Sequence, residues 1–181
     1  REALESMTHT EPEEANNPWC LQEIGSLEGS FETRVNTFGF ESLHEINTLG
    51  EADMQAVWDG YPVPFQETGA ASWKEDNGWM TVVLSGLIDE DEEDSETYVM
   101  PYFSFEREEI SSGDSIPIDQ TQMAAGLLYT EPALGYEPVQ AAWILGGSLD
   151  IEQFEPVTGG IFSGSFSTSL YDFQEVTSIG D

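Results

Sequence analysis

Asp89-Glu90-Asp91-Glu92-Glu93-Asp94-Ser95-Glu96 places seven carboxylates in eight residues, between two strongly apolar runs. Hard oxygen donors on a loop suit Ca²⁺, which takes six to eight oxygens in a flexible shell. Asp89, Asp91, Glu93, Asp94 and Glu96 are therefore the candidate metal ligands, with Ca²⁺ as the candidate cofactor. The spacing is not that of an EF-hand: counted from Asp89, the glycine position holds Asp94 and the bidentate glutamate position holds Met100. Two readings stay open, a bound divalent cation and a solvated acidic hairpin tip that discourages sticking.

Trp73 and Trp79 flank Asp76-Asn77-Gly78. Exposed together on a hairpin they would form a stacking platform for a sugar ring; packed across the strands they would be ordinary core. The catalytic inventory is thin. His9 sits in an acidic leader and His44 beside Glu41 and Glu45, both surface settings. No G-x-S-x-G, H-E-x-x-H, G-x-x-x-x-G-K or G-x-G-x-x-G pattern occurs. Carboxylate pairs of the glycosidase kind carry no information where 36 acids generate them by chance. The chain reads as non-enzymatic, and no catalytic residue is assigned. Cys20 is the lone cysteine, so no intrachain disulfide or zinc cluster is available.

The 36 acids face four cations, Arg1, Arg34, Lys74 and Arg107, for a net charge of −32. Such a chain repels phosphate backbones and anionic lipid, which excludes nucleic acid and anionic membrane as partners. Acidity alone would suggest disorder, but 39% hydrophobic and 12% aromatic residues supply a core. Size scaling gives roughly 8,700 Å² of surface and a mean charge spacing of about 16 Å. That exceeds a Debye length of about 8 Å at physiological salt, so molar salt is permitted without being required, as for a halotolerant or marine protein.

Residues 1–18 read as an acidic arm, and 19–181 as a single domain. From Trp19 onward, short apolar runs alternate with Gly, Pro, Asn and Asp, the texture of an all-β domain. Strands are expected near 25–38, 61–66, 70–74, 79–88, 97–106, 121–129, 139–145, 148–154 and 160–173, in an antiparallel β-sandwich or jelly-roll-like fold. Met80–Leu84 is apolar on both faces and suits a central strand, whereas Pro101 suits an edge strand or a bulge. Residues 51–58, with Ala52, Met54, Ala56 and Val57, are read as one short helix.

Gly29–Val35 (GSFETRV) and Gly164–Leu170 (GSFSTSL) share a pattern, GSFxTx-aliphatic, each followed by a Phe at 38 and 173. Convergence and a decayed repeat both fit. Residues 156–171 carry no charge. There Phe162, Phe166, Thr168 and Leu170 point to one face, and Ser163, Ser165, Ser167 and Ser169 to the other. A row of serines on an edge strand would let another backbone approach closely, so these four are the candidate assembly contact. Cover by the chain's own loops is the alternative.

The stretch GGIFSGSFSTSL (159–170), preceded by short strands and acidic loops, resembles the C-terminal third of secreted or lipoprotein-type β-sandwich proteins of marine bacteria. That resemblance implies an extracellular or cell-surface location. The expectation is a structural subunit of a surface layer or filament, self-assembling or joining another surface protein through the arm and the charge-free strand. The alternative is a carbohydrate- or Ca²⁺-dependent binding module, and a hydrolase comes third.

Overall fold

The computed structural model describes residues 19–36, 50–75, 78–89, 96–106, 110–130 and 139–175. The arm at 1–18, His44, and the Asp76-Asn77 pair lie outside the described residues. The ten strands are β1 Trp19–Asn36, β2 Gly50–Trp58, β3 Tyr61–Pro62, β4 Phe65–Lys74, β5 Trp79–Asp89, β6 Glu96–Glu106, β7 Ser115–Pro117, β8 Ala124–Thr130, β9 Val139–Phe154 and β10 Ile161–Glu175. The fold is all-β, as the sequence texture implies, and no helix occurs among the described residues.

Residues 51–58 are a correction: they form β2, not a helix. Helix-favouring Ala, Met, Glu and Gln mask a period of two in which Met54 and Ala56 are buried while Glu51, Asp53 and Gln55 are exposed. The turn that follows carries φ of 49° at Asp59 and 82° at Gly60, the pair of positive values that a two-residue hairpin connection needs. It leads β2 back into β3.

Strand pairing closes on itself in the order β1-β10-β9-β8-β6-β5-β4 and back to β1. The architecture is a closed seven-strand barrel with β2 and β3 continuing from β1 and β7 added to β9, in place of two distinct sheets of a sandwich. Every joint of the ring is antiparallel except β1–β4, a short parallel splice at Val35↔Ser72 and Asn36↔Trp73. Each ring strand thus has a neighbour on both sides, although β4 meets β1 only at Ser72 and Trp73.

Inward-facing residues fill the barrel: Leu27, Met80, Leu84, Phe103, Phe105 and Phe162 are among those under 2% exposed. Phe162 is the hub, with Phe31, Phe105 and Phe154 meeting it edge-on at centroid distances of 5.1, 5.9 and 5.1 Å. A packed interior follows from a small barrel lined by aromatics. β5 is buried continuously from Met80 to Gly86, in accord with its two-faced apolar sequence.

β9 unites the two strands expected at 139–145 and 148–154. Its register on β10 shifts between Ser167 and Ser169, where Gly146 and Gly147 adopt φ of 83° and 70°. The bulge moves the inward parity from Ala142 and Ile144 to Leu149 and Ile151. Ile118 braces it from outside the strand: its N–H donates to the Gly147 carbonyl, and its carbonyl accepts from the Gly146 N–H. Pro101 also departs from expectation, because β6 is paired on both sides. Its missing N–H falls where the β5–β6 ladder is interrupted, between Val83↔Tyr102 and Gly86↔Val99.

The two GSFxTx segments lie side by side. In the antiparallel β1–β10 ladder Gly29 faces Phe166, Ser30 faces Ser165 and Phe31 faces Gly164. Each phenylalanine covers the other strand's glycine: a β-carbon at Gly29 would stand 3.1 Å from Phe166 Cζ, and one at Gly164 would stand 3.4 Å from Phe31 Cζ. An aromatic ring over a cross-strand glycine pins register. The equivalent threonines act alike, Thr33 donating to the Ala70 carbonyl and Thr168 to that of Gly146. The likeness stops at these strands, because β2 follows β1 in the chain whereas β9 precedes β10. That order fits convergence on one packing solution better than a duplicated hairpin.

Candidate functional site

The acidic segment closes the β5–β6 hairpin, with Asp89 paired to Glu96 at its base. Asp91, Glu93 and Asp94 lie outside the described residues. Among the described residues, no group of three or more His, Cys, Asp or Glu side chains comes together as a metal ion would need.

Trp73 and Trp79 share the outer face of the β4–β5 hairpin. Trp73 is 3% exposed, in a second apolar cluster with Ala71, Val83, Met100 and Leu128, and Trp79 is half-buried. A ligand therefore has access to Trp79 and little to Trp73. This outer cluster escaped the sequence reading, although the unbroken apolar run of β5 is its signature. Beside it, the Tyr102 ring lies over Gly126 and its hydroxyl donates to Gln140 Oε1 at 3.3 Å.

Burial pushes the Tyr102 hydroxyl pKa above the usual value for tyrosine, and burial followed by repulsion from Glu23 does the same at Tyr171. A raised folded-state value means that the neutral form is favoured by folding. The associated stability is complete below the ordinary tyrosine pKa of 10.0 and is lost as pH rises through the folded values. In a near-ultraviolet absorbance titration, Tyr102→Phe and Tyr171→Phe are each expected to remove a step that lies above the ordinary tyrosine range. Loss of a step at or below the ordinary range in either variant would contradict this.

The serine column lies in the middle of the sheet. β10 is paired to β1 on one side and to β9 on the other, so the expectation of an edge strand is corrected: its backbone has no free row for a further strand. On its outer face Ser163 is buried, Ser165 and Ser169 are half-buried and Ser167 is exposed. Across β1 the column meets Glu32, Ser30, Glu28 and Ser26, all exposed; across β9 Ser163 meets Gln153, Ser165 meets Asp150 and Ser167 meets Ser148. Asp150 is fixed by the Ser148 and Ser115 hydroxyls.

Two of the hollows in the surface are lined by described residues. The larger, of 380 Å³, is an open groove lined by Glu23, Ile24, Ser26, Val57 and Asp59; the smaller, of 140 Å³, lies among Phe105, Ile110, Asp114, Ile116 and Gln122. The Asp114 carboxylate accepts from the Ser111 N–H, and Asp119 accepts from the Thr121 N–H and hydroxyl and from Gln122 N–H. These bonds hold the Asp119 carboxyl below the usual carboxylate range and order the turn leading to β8. Both aspartates thus serve their own loops.

No family model matches the chain, and comparisons with curated proteins and with solved structures found no match.

Proposed function

We propose that this chain is a non-enzymatic structural subunit that assembles into an extracellular surface layer or filament. The observation that carries the reading is the serine column of β10, a stripe of small neutral side chains on the outer wall of an otherwise strongly acidic barrel. Small side chains allow close apposition of a second surface, and the column itself carries no charge, with Glu28, Glu32 and Asp150 along its flanks. Contact through β10 is by its face, with Ser165 and Ser167 at the centre.

Sedimentation velocity tests this. Association should strengthen as salt rises from about 0.15 M, because shorter screening lengths weaken the repulsion between copies. Ser165→Glu with Ser167→Glu adds like charge at the contact and should weaken association roughly tenfold, equivalent to about 1.4 kcal/mol. A monomer at every salt and protein concentration would sink the reading. The half-buried Trp79 favours a second reading, a carbohydrate-binding module, for which oligosaccharide titration of tryptophan fluorescence is the check.

A further inference from the structure

β1, β2 and β3 form a hairpin unit whose first strand is also a strand of the ring. Within it, β1 and β2 pair from Gly25↔Trp58 to Thr33↔Gly50, and β2 turns into β3 through Asp59 and Gly60. Outward, the unit is held by the long β1–β10 ladder, from Trp19↔Glu175 to Arg34↔Ile161, by the short parallel splice to β4, and by the Thr68 hydroxyl on the Ala52 carbonyl. The chain then reaches β4 through only Val63 and Pro64. That connection is tight: the Val63 N–H donates back to the Ala56 carbonyl and the Phe65 N–H to that of Val63, with proline restricting the residue between. Short hinges of this kind favour exchange of an element between copies, because an extended hinge relieves what the closed one must bend.

The β1–β10 seam is suited to accept such an exchange. Its reciprocal glycine–phenylalanine contacts fix register whichever copy supplies the hairpin. No register pair across the seam sets acid against acid; Glu28 faces Ser167 and Glu32 faces Ser163. The one direct acid pair on β1, Glu32 opposite Glu51, lies inside the unit and travels with it. Docking a hairpin from another copy therefore brings no new like-charge contact into this ladder.

We propose that the β1–β3 unit swaps between copies, lying beside β10 of a second molecule. This rests on the assembly reading and adds to its face contact a strand exchange along the β10 edge: reciprocal exchange gives a closed dimer, and sequential exchange gives an open filament. The test uses Ser30→Cys with Ser165→Cys, register partners across the seam, in a Cys20→Ser background, linked by oxidation or by a short bis-thiosulfonate reagent. Non-reducing electrophoresis of the oligomeric fraction should shift the chain from monomer mass to dimer mass and above, while the monomeric fraction should link within the chain. Oligomers linked only within chains would overturn the exchange and leave the assembly reading standing; absence of oligomers overturns both. A Gly-Ser insertion between Val63 and Pro64, needing no new cysteines, should shift the population towards monomer by roughly tenfold. An unchanged distribution would also overturn the exchange.

Discussion

Gly147→Ala is expected to destabilise the barrel by about 3–5 kcal/mol, with most of the loss from one steric contact. An added β-carbon would stand 1.8 Å from the Ser167 carbonyl oxygen, in the adjacent strand's backbone, and a φ of 70° disfavours any L side chain. Neither β9 nor β10 can yield, since both are paired on either side and Ile118 clamps the bulge. Gly146 provides the internal control. Its φ of 83° is equally unfavourable, yet no atom lies within 4 Å of its added β-carbon, so Gly146→Ala should cost only about 1–2 kcal/mol. Urea denaturation at constant slope separates the two by midpoint; equal midpoints would refute the bulge geometry as the cause.

The second large effect is expected at Phe162. Its ring is fully buried and touches three others, so Phe162→Ala should lose about 3–5 kcal/mol from transfer and residual cavity. For a chain of this length that lowers Tm by roughly 6–20 °C. Val157→Ala, at a site 57% exposed, should stay within about 0.5 kcal/mol of wild type. Comparable losses at the two positions would mean that the aromatic hub does not organise the core.

The strands were largely legible because turn residues and apolar alternation punctuate the chain, and β5, β6 and β10 lie close to where these signals put them. The 51–58 segment was misread through composition. Its alternation at Met54 and Ala56, and the Asp59-Gly60 pair that signals a tight hairpin, both indicated a strand. Gly146-Gly147 suggested a break because glycine ends strands as readily as it bends them, and only the register on β10 distinguishes the two. Closure of the ring was illegible for another reason: β1 and β10 stand far apart in sequence, and local pattern carries no long-range pairing. The shared GSFxTx pattern was the one trace of that pairing, visible as a likeness and not as a contact. For the same reason the serine row read as an edge. Of the tryptophan pair, position beside the turn was legible and burial of Trp73 was not, since burial depends on what crosses the outer face.

Trp19 opens β1 opposite Glu175, which closes β10, so the chain enters and leaves the barrel side by side. Tension applied between those two points would peel the ladder one rung at a time, loading each pair alone, whereas a pull along opposed ends would load all rungs together. The fold is therefore weak towards forces that separate its first and last strands, and forced opening is governed by the rate of that first peeling step.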